Sequence, residues 1–110
     1  MDQLDMFIID VLRHDIEDIE SILKMLNDTG CIGWRQFWPH DFERDEILQA
    51  LSRLVKAGMV SPLRYDGQQR ALVNVEGSFD IMQDREDLWF KLDAPGLAQW
   101  DKWEAPDRGD

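Results

Sequence analysis

Apolar positions recur first at helical and then at strand spacing, and the change of period divides the chain. Leu4, Phe7, Ile8, Val11 and Leu12 fall on one face of a helix. Asp2 and Asp5 stand near its start, where the helix dipole favours negative charge. A second stripe, Ile16, Ile19, Ile22, Leu23 and Leu26, has Glu17, Asp18, Glu20, Ser21 and Lys24 on its other side. Arg13-His14-Asp15 between them reads as a corner with Asp15 as N-cap, and Asn27-Asp28-Thr29-Gly30 reads as the stop. Residues 30–42 show no period. Trp34, Phe37 and Trp38 crowd around Pro39 there, which predicts a folded loop. The third helix, over residues 43–57, is the clearest: Ile47, Leu48, Leu51, Leu54 and Val55 share a face and Gly58 closes it as the left-handed residue.

Beyond Gly58 the spacing changes to that of strands. Met59 to Tyr65 reads as extended, Asp66-Gly67 as a hairpin turn, and Gln69 to Val75 as the returning strand. Residues 76–87 form a polar connection, and Leu88 to Leu92 a short strand. Asp93 then caps a last helix with Pro95 in its first turn, and Leu97, Trp100 and Trp103 supply its apolar face. The reading is one domain over 1–104, with a frayed tail over 105–110.

Composition narrows the function classes. The 110 residues carry 12 Lys plus Arg against 23 Asp plus Glu, a formal net charge of −11. A field of that sign repels phosphate backbones and anionic membranes. The charge is uneven: residues 1–28 hold 8 acids against 2 bases, residues 76–110 hold 10 against 4, and residues 29–75 hold 5 against 6. Any surface tolerant of phosphate therefore comes from the middle block. No apolar run approaches the roughly 20 residues of a membrane span, and Met-Asp-Gln-Leu-Asp lacks the basic start of a signal peptide. The single cysteine, Cys31, makes no internal disulfide, which fits a reducing cytoplasm. The expected location is cytoplasmic, with no membrane partner.

Three helices followed by a hairpin, with Glu46 to Val60 leading into Leu63-Arg64-Tyr65, resemble the winged helix-turn-helix superfamily. Trp89-Phe-Lys-Leu-Asp-Ala-Pro-Gly96 is similar to the strand-to-helix segment that often follows the wing in such proteins. The resemblance covers nearly the whole chain and is to the small single-domain bacterial members. It implies a mainly α fold with a small antiparallel wing: a three-helix core, a β-hairpin and a C-terminal helix. It also implies a regulatory or interaction role. Two features depart from the pattern. The connection from the second to the third helix is much longer than the usual three to four residues, and the wing segment, residues 60–92, is long.

The candidate DNA-binding residues are Arg44, Gln49, Ser52, Arg53 and Lys56 on the third helix, with Arg64 and Arg70 on the wing. Arg and Gln can read base edges bidentately, and Lys and Arg hold phosphates. An ordinary solvated helix face explains the same residues. Glu43, Asp45 and Glu46 also cancel the helix's cations, leaving little counterion-release affinity. For protein binding, five tryptophans in a small chain are suggestive, because Trp is a favoured interface anchor. Trp100 and Trp103 are the candidates there, whereas Trp34 and Trp89 read as core. The enzymatic inventory is thin. His14 and His40 each neighbour an aspartate, but no nucleophile shares a recognisable motif with either. Cys31 and His40 lack the second ligand pair of a zinc site, and no Gly-rich phosphate loop follows a strand. The expectation is a non-enzymatic module without metal or cofactor, whose main partner is protein, itself included. The alternative is a DNA-binding transcriptional regulator using helix 43–57 and the wing over 60–75.

Overall fold

A computed structural model describes residues 3–13, 16–29, 41–75 and 88–103. The expected corner at His14-Asp15, the aromatic loop with Trp34 and Trp38, Cys31, His40, the connection 76–87 and the tail lie outside the described residues. The elements run α1 (Gln3–Leu12), β1 (Glu17–Asp18), α2 (Ile19–Lys24), a π-helical turn (Met25–Thr29), α3 (Arg44–Lys56), β2 (Val60–Asp66), β3 (Ala71–Asn74), β4 (Leu88–Leu92) and α4 (Ala94–Lys102).

Local chemistry explains most of the boundaries. α2 starts at Asp18, whose carboxylate accepts from the Ser21 backbone N–H at 2.8 Å. Asp18, three residues beyond the expected cap, occupies that position because Glu17 and Asp18 are drawn into the sheet. The helical path then widens into a π turn that ends at Thr29, within the stop expected over residues 27–30. Asn27 acts over distance: its Nδ2 donates to the Phe42 carbonyl at 2.9 Å, and the Phe42 N–H donates to its Oδ1 at 3.0 Å. This two-way pairing ties the end of the second helical segment to the entry of α3. Glu46 accepts from the Glu43 backbone N–H at 2.9 Å across the first turn of α3. Gly58 leaves α3 at φ 76°, the left-handed conformation that a side chain would strain.

The expected mainly α, winged helix-turn-helix fold is corrected by the sheet. Among the described residues, four α-helices accompany a four-stranded antiparallel sheet of order β1-β4-β2-β3, an α+β arrangement. The three-helix core with a two-strand wing is not matched: β2 and β3 form only one side of this sheet. β4 lies inside it, paired with β2 from Val60↔Leu92 to Arg64↔Leu88 and with β1 through Glu17↔Phe90 and Asp18↔Trp89. The sequence pattern missed β1 because two consecutive acidic residues carry no apolar alternation. The backbone of β4 makes them a strand.

The main core lies between the helices and one face of the sheet. Ile8, Ile9 and Val11 of α1, Ile22, Leu26, the α3 face from Ile47 to Leu54, and Val60, Leu88 and Phe90 of the sheet are buried together. α1 is buried from Asp5 to Leu12, so the predicted single apolar face is too narrow. α3, α4, β4 and the second helical segment all pack on α1, which makes it the central helix. On the other side of the sheet, the register sets Leu63 beside Trp89 and Tyr65 beside Leu72. Tyr65 is 58% exposed.

Candidate functional site

α3 presents one outward face, and the fold spends part of it internally. Arg44, its first residue, pairs with Glu20 of α2. Arg53 reaches α1, where Nη2 lies 2.7 Å from Asp5 Oδ1 and Nε 3.4 Å from Oδ2. Asp5 is 4% exposed, so its charge has left bulk water and the guanidinium compensates it. Two of the three cations proposed to read or hold DNA on this helix therefore act as ties to its neighbours. Gln49 and Lys56 are exposed and Ser52 half-buried. Among the described residues, the exposed groups at the start of the helix are Asp41, Glu43, Asp45 and Glu46. The two wing arginines lie elsewhere. Arg64 is exposed on β2, and Arg70 is exposed in the turn before β3, at φ 55°. That left-handed backbone is uncommon for a residue with a side chain. The Asp66 carboxylate accepts the Gln68 N–H at 2.9 Å and organises the same turn.

The two candidate interface tryptophans are not free anchors. Trp100 donates from Nε1 to Asp10 of α1 at 2.8 Å, and the Arg13 guanidinium lies 5.1 Å above its ring. Trp103 meets Phe7 edge-on at 5.9 Å between ring centroids and donates to Gln3 at 3.3 Å. Both rings are half-buried and hold α4 against α1. Asp10, wholly buried, was missed as a structural residue. Its signal is position: it interrupts Phe7-Ile8-Ile9 and Val11-Leu12, a run with no polar face to receive it.

Beside this contact a cleft of about 390 Å³ opens between the end of α1, Ile16, the end of β4 and the first turn of α4. Leu12, Ile16, Leu92, Ala94 and Leu97 give it an apolar lining. Arg13, Lys91 and Asp93 are its charged members, and the Asp93 carboxylate accepts the Ser61 hydroxyl. Among the described residues, no three His, Cys, Asp or Glu side chains converge as metal ligands, and no helix is long and apolar enough to cross a membrane.

Comparison of the chain with protein-family models, with curated proteins and with solved structures gives no match.

Proposed function

We propose that the chain is a non-enzymatic interaction module whose partner is a protein with a basic surface, met by the acidic entry of α3. The observation that supports this reading is the engagement of Arg44 by Glu20 and of Arg53 by Asp5. With those cations compensated, the exposed carboxylates of Asp41, Glu43, Asp45 and Glu46 dominate the field at that end. A net charge of −11 opposes self-association through this face, so the partner is a different chain. The regulator reading retains Gln49, Ser52, Lys56, Arg64 and Arg70. These residues are split between a helix and a hairpin on separate elements, and they face the same unfavourable overall field.

Fluorescence anisotropy separates the two readings. A labelled oligolysine peptide should bind saturably at ~50 mM salt and weaken strongly by ~200 mM, as ion pairing in water is screened. The D41N/D45N variant, which leaves the Glu43–Glu46 contact in place, should weaken it further. A labelled random duplex should show no binding at ~50 mM salt, where phosphate contacts are strongest. Salt-sensitive duplex binding that Lys56→Glu and Arg64→Glu abolish would overturn the protein reading in favour of the regulator.

A further inference from the structure

We infer that the open edge of β3 joins a second copy of the chain, strand to antiparallel strand, about a two-fold axis at Val73. β3 ends the sheet order β1-β4-β2-β3, and among the described residues nothing pairs with its outer side. One hydrogen bond fixes which groups that side offers. The Val75 N–H donates to the Pro62 carbonyl at 3.2 Å, so the residues in step with Val75, namely Val73 and Ala71, turn their backbone groups toward β2. Leu72 and Asn74 therefore turn their N–H and C=O groups to the open edge. Ala71 and Asn74 are exposed, and Leu72 and Val73 are half-buried.

Natural sheets protect such edges with lysine, proline, a bulge or a charge. β3, Ala-Leu-Val-Asn, has no charged residue and no proline, and its register with β2 runs without a bulge from Leu63↔Asn74 to Asp66↔Ala71. Charge points to a second copy as the occupant. From Gly67 to Val75 the only charged residue is Arg70, so two chains of net −11 meet here along a stretch that holds no acid. The register is self-complementary as well. With Val73 facing the second copy's Val73, Leu72 lies opposite its Asn74 and Asn74 opposite its Leu72, each pair exchanging both N–H···O bonds. A slip toward the turn would enlist Arg70, whose φ of 55° takes it out of the strand.

Sedimentation velocity of the intact chain from ~10 µM to ~1 mM tests the inference, since a seam this short makes a weak dimer. The mass should rise from 12.9 kDa toward twice that value with concentration. Raising salt from ~50 mM to ~500 mM should strengthen the dimer, because it screens the repulsion of two acidic chains and leaves backbone hydrogen bonds intact. The oligolysine complex responds in the opposite sense and uses none of these residues, so either result stands if the other fails. Asn74→Pro deletes an outward N–H and no bond to β2, and should weaken dimerisation about tenfold or more. Cross-linking with oxidised glutathione, after Cys31→Ser, reads the register. Val73→Cys should give a disulfide-linked dimer, since the Cα atoms of a facing, non-hydrogen-bonded pair lie about 4.5 Å apart, within disulfide reach. Ala71→Cys, whose two copies lie roughly 13 Å apart along the strands, should not. A mass of 12.9 kDa throughout would overturn the inference. So would a dimer that salt dissolves, one that Asn74→Pro leaves intact, or equal cross-linking from the two cysteine variants.

Discussion

Replacing Arg53 with methionine removes the guanidinium while keeping most of the stem that packs on the helix surface. If Arg53 is a tie between α3 and α1, the change strands Asp5, whose carboxylate is 4% exposed and is held by Nη2 at 2.7 Å and Nε at 3.4 Å. Breaking a fully buried pair costs about 3–5 kcal/mol. The Arg53 side chain is 45% exposed, so water enters beside the orphaned carboxylate, and about 2 kcal/mol is expected. Asp5→Asn should cost less, about 1 kcal/mol, because the released guanidinium is resolvated and the amide keeps an acceptor. The D5N/R53M double variant should then be less destabilised than the sum of the singles by about 1 kcal/mol, the signature of contact. Urea unfolding followed by tryptophan fluorescence and circular dichroism measures all three, since a chain of this length is suited to two-state treatment. The melting temperature of R53M should fall by roughly 10 °C. A cost below about 0.5 kcal/mol for R53M, with additive singles, would refute the reasoning. Arg53 would then be a solvated cation, available to a ligand after all.

Two further outcomes test the packing of α4. Trp100→Phe keeps an aromatic ring but removes the Nε1 donor to the wholly buried Asp10, so unfolding free energy should fall by about 1.5–3 kcal/mol, while a loss under 0.5 kcal/mol would show that bond to be idle. Gly96→Ala places a Cβ 2.6 Å from the Met59 carbonyl oxygen and 2.5 Å from Leu92 Cδ1, so it should destabilise by about 1–3 kcal/mol in a thermal melt despite alanine's better helix propensity, whereas Gly67→Ala, with open space around it, should not show that clash.

Trp100 also shows why the candidate sites were only partly legible. Helical spacing placed it correctly on the inner face of α4, and its chemistry marked it as an anchor, but spacing does not say what it anchors to. The answer, Asp10, lies 90 positions away. The Arg53 partner lies 48 positions away. A side chain that looks available for a ligand in a linear reading can be claimed by any element that the fold brings near. Asp5 was legible as a helix-start acid, yet its pairing with Arg53 required α3 to pack on α1. The cleft left no signal, because Leu12, Ile16, Leu92 and Leu97 each look like ordinary core positions and only their incomplete closure makes a cavity.

Properties set by neighbours a few residues apart were determined by the sequence itself. The period of Ile47 to Val55 made α3, the absence of a side chain at Gly58 let the chain turn at φ 76°, and Pro95 set the first turn of α4 behind Asp93, which holds the N-cap position but whose carboxylate accepts from Ser61 and makes no cap bond. The tertiary structure alone decided which local pieces became partners. Glu17 and Asp18 are a strand only because β4 supplies their hydrogen bonds, and the pairing of β4 with both β1 and β2 turns a helical core with a hairpin into an α+β fold. The physical reason is range. Backbone preference and side-chain periodicity act within a turn or two, whereas burial, ion pairing and strand pairing depend on groups that meet only after the chain has folded.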